Sequence, residues 1–133
     1  DTATIQEFSG LELAQKEGGE GQFCRGKSFD TFCPLGTPVA AAEVGDPGDL
    51  GIETRLNGKV VQSSRTSAMI HPVPELLAEL SRGITLPAGC VILTGTPAGV
   101  GAGMKPPRFL EDGDEIEIEI ERVGRLRNGV RQS

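Results

Sequence analysis

Tryptophan and tyrosine are absent from this 133-residue sequence, and phenylalanine occurs five times. Any interior must therefore be assembled mainly from Leu, Ile, Val and Ala, which suffices for one modest core. Basic residues are outnumbered: 13 Lys and Arg stand against 19 Asp and Glu, for a net charge of -6. That is the wrong sign for an affinity built on neutralising phosphates, and it sets nucleic acid aside as a partner. No apolar run approaches the roughly 18 residues of a membrane span, and the N-terminus lacks the basic-then-apolar pattern of a secretory signal. The expectation is a soluble, cytoplasmic chain with no membrane partner. Cysteine is scarce as well. Cys24, Cys33 and Cys90 are odd in number and widely spaced, which fits neither a disulfide framework nor paired zinc ligands, so reduced and buried thiols are expected.

What the chain has in quantity is glycine and proline, 19 and nine residues, which favours short elements joined by turns over a helix bundle. The length is that of one domain. The first 22 residues are polar, with Leu11 and Leu13 as their main apolar anchors. Residues 29–42 are apolar or small but carry Pro34, Gly36 and Pro38, so they read as an edge strand with a bend. After the turn cluster Asp46-Pro47-Gly48-Asp49, Ile52, Thr54 and Leu56 alternate with more polar neighbours up to Asn57-Gly58. That dipeptide supplies the two positive φ values of a type I′ turn and predicts a hairpin whose second strand covers 59–62. Residues 63–67 read as polar loop. Pro74, Glu75, the trio Leu76, Leu77 and Leu80, and the stop at Gly83 predict a helix over 72–83. An apolar strand at 90–93 opens into a Gly-rich loop over 94–103. Ile116, Ile118 and Ile120 then alternate with Glu115, Glu117, Glu119 and Glu121, which places isoleucines inward and glutamates on a solvated face. Gly124 reverses the chain into a last strand over 125–130.

Candidate chemistry is sparse. The loop Gly95-Thr96-Pro97-Ala98-Gly99-Val100-Gly101 resembles a phosphate cradle only superficially, because no Gly-Lys-Ser/Thr closes it and Pro97 lacks an N–H. It reads either as a structural turn or as a loop that turns Thr94 and Thr96 toward a small oxygen-rich ligand. Lys27, in Gly26-Lys27-Ser28-Phe29-Asp30, is by itself an ordinary surface lysine, or a partly desolvated amine able to anchor an anion or move a proton. His71 is the single histidine. It reads as a packing or hydrogen-bonding residue, with a general base as the alternative.

Taken in order, these pieces resemble the C-terminal catalytic domain of the fumarylacetoacetate hydrolase family, which includes acylpyruvases, fumarylpyruvate hydrolases and hydroxy-heptadiene-dioate isomerases. The segments that carry the resemblance are 26–36, Thr66-Ser67 with Met69-Ile70, Val73-Pro74-Glu75-Leu76, 91–101, 105–110 and Asp112-Gly113-Asp114. The likeness is nearly continuous from Gln22 to Val130. It implies a mainly β fold with one or two helices, a mixed β-sandwich roll, partial here, commonly dimeric and holding Mg²⁺ or Mn²⁺ at its open end.

In that family a Glu-x-Glu pair and an aspartate bind the metal, and the pair and the lid histidine lie upstream of everything in this sequence, so His71 inherits no catalytic role. Gln6-Glu7-Phe8-Ser9-Gly10-Leu11-Glu12-Leu13 looks like the segment of the third ligand. The resemblance then puts Glu7 at the aspartate position, Leu11 in place of an arginine and Gln15 near a substrate-binding glutamine, with Asp1 as a fallback ligand. Carried over in the same way, Lys27 is the catalytic ammonium beside the substrate, and Thr96 with Gly95 contacts its carboxylate or enolate oxygen. One carboxylate cannot hold Mg²⁺ usefully, since the ion demands several oxygens in octahedral array. The expectation is therefore a single catalytic-type domain lacking its N-terminal ligand portion. Its implied activity is hydrolysis or isomerisation of 2-oxo or 1,3-dicarbonyl acids through a metal-stabilised enolate, as a homodimer in the cytoplasm, or in the mitochondrion of a eukaryote. Decarboxylation of a 2-oxo acid is an alternative, and a catalytically silent scaffold, motivated by Glu7 and Leu11, is another.

Overall fold

The computed structural model describes residues 28–131, so Asp1, Glu7, Leu11, Gln15, Cys24 and Lys27 lie outside the described residues. A helical turn α1 (Ala41–Val44) precedes β1 (Gly51–Leu56) and β2 (Lys59–Arg65); helix α2 (Val73–Ser81) follows, and then β3 (Glu115–Ile120) and β4 (Gly124–Gly129). The four strands form one sheet in the order β2-β1-β3-β4, antiparallel at every junction.

The Asn57-Gly58 turn sets the register. Its φ values of 51° and 77° are those of a type I′ turn, whose twist matches the flanking strands. From it follow cross-sheet rows such as Gln62–Thr54–Ile118–Leu126 and Ser64–Ile52–Ile120–Gly124 on one face. Ile116 and Ile118 are each only 4% exposed there, as the period-two pattern requires. Between Thr54 and Arg55 the register slips by one residue, so Val61 faces no residue of β1 and forms a β-bulge.

The opposite face is charged, and its glutamates are paired as well as solvated. Arg55 stands opposite Glu117 and reaches Glu53 and Glu119 as well; Arg125 bridges Glu117 and Glu119, and Arg127 holds Glu115. Opposite charges across a ladder each contribute a few tenths of a kcal/mol, up to about 1.

Several expectations need correction. Residues 29–42 join no strand among the described residues: they turn and bend at 29–33, continue without regular structure and close in α1. Pro34 and Pro38 remove two of the N–H donors that an edge strand would offer. Residues 90–93 also form no ladder there, and Val91 and Leu93 are exposed; an apolar run can call for burial but cannot name a strand partner. β2 continues to Arg65, paired with Gly51, where a polar loop was expected. Cys33 and Cys90 are free thiols as expected, but exposed rather than buried. The expected helix is present over Val73–Ser81 with Pro74 in its first turn.

Candidate active site

A concavity of about 1080 Å³ opens over the isoleucine face of the sheet. Ile52, Ile118 and Ile120 supply an apolar floor, while Ser64, Arg65, Thr66 and the loop 94–98 supply polar walls. A few polar groups around an apolar hollow is the usual make-up of a small-molecule site.

The loop is seated on edge strand β2 by one side chain. Gln62, 4% exposed, sends its Nε2 to Thr96 Oγ1 at 3.1 Å and to the Pro97 carbonyl oxygen at 2.9 Å. Gly99 makes the approach close enough, since a Cβ there would stand 2.3 Å from the Val61 carbonyl oxygen. Its φ of 107° suits glycine alone. Gly95, at φ 97°, turns the chain so that Thr96 sits at the cavity wall.

The far end of the loop has a second anchor. The Arg108 N–H donates to the Gly101 carbonyl at 3.1 Å, and Arg108 Nη2 reaches both oxygens of buried Asp114 at 2.9 and 2.8 Å. Asn57 Nδ2 and the Glu111 N–H donate to the same carboxylate, each at 2.8 Å. Burial by itself would raise the Asp114 carboxyl; the bonds from Asn57 and Glu111 and the charge of Arg108 outweigh it and hold the group below the ordinary carboxylate range.

A third set of bonds fixes the wall at Arg65 and Thr66. Thr66 Oγ1 donates to the Pro47 carbonyl and accepts from the Leu50 N–H, at 2.6 and 2.8 Å. Asp49 receives Arg65 Nε and Ser67 Oγ at 2.6 and 2.9 Å, and these bonds lower its carboxyl from the ordinary value. His71 also lines the cavity but is exposed, with Nδ1 3.4 Å from Glu75 Oε1 on the first turn of α2.

Of the residues singled out in the sequence, Thr96 and Gly95 both line this cavity. Lys27, Gln15 and Glu7 lie before residue 28, outside the described residues. Gln62, Arg65 and Thr66 were not anticipated. The signal for Gln62 was a polar residue inside a hairpin strand, but the bulge at Val61 hides its inward facing from a simple alternation count. Among the described residues no group of three His, Cys, Asp or Glu side chains could hold a metal ion. They do not by themselves fit a divalent cation.

Residues 3–131 match the family model described as fumarylacetoacetate (FAA) hydrolase C-terminal. The chain belongs to this family. Its relatives include oxaloacetate tautomerase YisK of Bacillus subtilis, 49% identical over 110 residues that cover 82% of this chain and 36% of that protein. Among solved structures, fumarylacetoacetate hydrolase from Exiguobacterium antarcticum superimposes with a TM-score of 0.84 at 49% identity, covering 92% of this chain and 43% of that one. The 2-hydroxyhepta-2,4-diene-1,7-dioate isomerase from Mycobacterium marinum gives 0.77 at 44% identity, over 90% and 43% of the two chains. Maleylpyruvate hydrolase from Sphingobium sp. SYK-6, solved with manganese(II) and pyruvate, gives 0.76 at 35% identity, over 86% and 40%. The expected mainly β family fold is thus the observed one. The chain spans less than half the length of these relatives.

Proposed function

We propose that this chain forms the substrate-holding wall of an enzyme that hydrolyses or isomerises 2-oxo or 1,3-dicarbonyl acids, as a homodimer using Mg²⁺ or Mn²⁺. The observation that carries the reading is the Gln62-seated loop, which sets Thr96 and Gly95 on the wall of an apolar-floored cavity. Relatives named as hydrolases, an isomerase and a tautomerase support it, and the manganese and pyruvate of maleylpyruvate hydrolase support the metal and the acid class.

The chemistry asked of these residues is modest. Breaking a C–C bond next to a carbonyl, or moving a proton there, builds negative charge on an enolate oxygen. Groups held in place before the charge appears stabilise it best. In this reading Thr96 donates its hydroxyl to the carboxylate or enolate oxygen, Gly95 lets the backbone approach, and the Lys27 ammonium compensates charge beside the reacting carbon. Gln15 contacts substrate and Glu7 is the chain's metal ligand, the divalent ion supplying further charge stabilisation when bound.

The test is a turnover panel of an acylpyruvate, oxaloacetate and a heptadiene-dioate, with Mg²⁺–oxalate calorimetry beside it, run on a longer chain that also carries the family's Glu-x-Glu pair. Turnover of at least one substrate is expected, and Lys27→Met should lower kcat on the order of a hundredfold or more. Release of CO₂ from oxaloacetate would identify a decarboxylase instead. Neither heat nor turnover would favour the silent scaffold.

A further inference from the structure

We infer that Ser64 is a specificity-determining residue whose hydroxyl hydrogen-bonds a distal oxygen of the substrate, beyond its 2-oxo acid group; this rests on the reading of the Gly95–Thr96 wall as the seat of that acid group. Gln62, Ser64 and Thr66 are polar residues at every second position along one stretch of chain. The outer two are committed to the fold. Gln62 Nε2 is occupied by Thr96 Oγ1 and the Pro97 carbonyl oxygen. Thr66 Oγ1 donates to the Pro47 carbonyl and accepts from the Leu50 N–H. Ser64 between them is half-buried and lines the cavity, and among the described residues its hydroxyl has no hydrogen-bond partner.

On packing grounds a hydroxyl is out of place there. Ser64 pairs with Ile52 and shares a cross-sheet row with Ile120, an apolar floor on which a β-branched aliphatic side chain would fit better. A polar group without a protein partner takes its hydrogen bond from whatever occupies the hollow. Its position selects which part of the ligand that is. Ser64 and Gln62 lie two residues apart on the same face of β2, roughly 6.5–7 Å along the strand, and Gln62 Nε2 holds Thr96 Oγ1 at 3.1 Å. A 2-oxo acid seated against the Gly95–Thr96 wall therefore meets Ser64 with an oxygen several bonds farther along its chain. In a 1,3-dicarbonyl acid that oxygen is the second carbonyl, and in oxaloacetate it is the second carboxylate. Oxalate ends short of it.

The experiment compares oxaloacetate with oxalate by calorimetry on the longer chain with Mg²⁺, beside turnover of the panel substrates. Ser64→Ala should weaken oxaloacetate binding, and raise KM for the substrate turned over best, on the order of tenfold. Oxalate affinity should change by less than about twofold, because that ligand never reaches position 64. Retained oxalate binding also shows that the variant folds with its site intact. An equal loss for both ligands would make Ser64 a structural residue, and no loss for either would take it out of the site; each overturns the inference. The contact and the proposed activity can fail separately. Oxaloacetate binding that depends on Ser64 in a chain that turns over nothing would uphold the contact and count against the activity. Turnover and binding indifferent to Ser64→Ala would do the reverse. A chain that binds neither oxaloacetate nor oxalate overturns both.

Discussion

Gly99→Ala is expected to lift the 94–101 loop from β2 and destabilise the protein by roughly 2–4 kcal/mol. Two penalties coincide at this position. The φ of 107° is one that a residue bearing a Cβ adopts only under strain. The added Cβ would also stand 2.3 Å from the Val61 carbonyl oxygen and 3.0 Å from Gln62 Cγ. The first is a backbone atom of a paired strand and cannot move aside cheaply. The loop must retreat instead, which lengthens both Gln62 bonds. Urea denaturation should show a lower midpoint with little change in slope. Gly58→Ala, also at positive φ but with nothing within 4 Å of its new Cβ, should cost clearly less. Equal losses at the two positions would mean that the Val61 contact contributes nothing.

Asp114→Ala carries the second large effect. It removes the acceptor for Arg108, Asn57 and the Glu111 N–H together, and leaves three part-buried donors without their partner. Loss of the buried carboxylate from this part-buried, charge-assisted network costs about 2–3 kcal/mol. The pH dependence has a definite sign. The folded-state carboxyl is depressed, so its stabilisation is fully present above the unfolded carboxyl value of about 3.9. That stabilisation is lost as pH falls from there through the lower folded value. The wild-type chain should therefore lose stability steeply below about pH 4, and Asp114→Ala should show a shallower slope across that range in denaturant titrations at stepped pH. Parallel slopes for the two proteins would remove Asp114 from the acid transition. Because Arg108 also holds the Gly101 carbonyl, the variant should increase amide exchange at 101–103 as well.

Local rules made the sheet legible wherever the chemistry was local. Asn57-Gly58 specified a turn, and Ile116, Ile118 and Ile120 specified an inward face, because each depends only on backbone dihedrals or on period two. Arg55, Arg125 and Arg127 show where such rules stop. Nothing in the glutamate alternation says that three arginines from two neighbouring strands will lie among those carboxylates, since that follows from pairing order. Residues 90–93 failed for the same reason: composition favoured a strand, but a ladder needs a partner. The Gly-rich loop by itself offered Thr96 only as one of two readings, and the substrate-contact roles of Thr96 and Gly95 came through family resemblance. Gln62 stayed hidden because the Val61 bulge shifts register by one, and the Arg108–Asp114 link because spacing does not say how the 105–113 loop folds back on the start of β3.

The seat of the 94–101 loop on β2 has a consequence for colloidal behaviour. In the described sheet β2 is a border strand, and Val60 on it is half exposed; such borders recruit strands from other molecules unless something obstructs them. Gly99 pressed onto the Val61 carbonyl obstructs this one. The segment that presents Thr96 to the cavity thus also caps a polymerisation-competent margin, and changes that free it will drive the chain into insoluble material during expression.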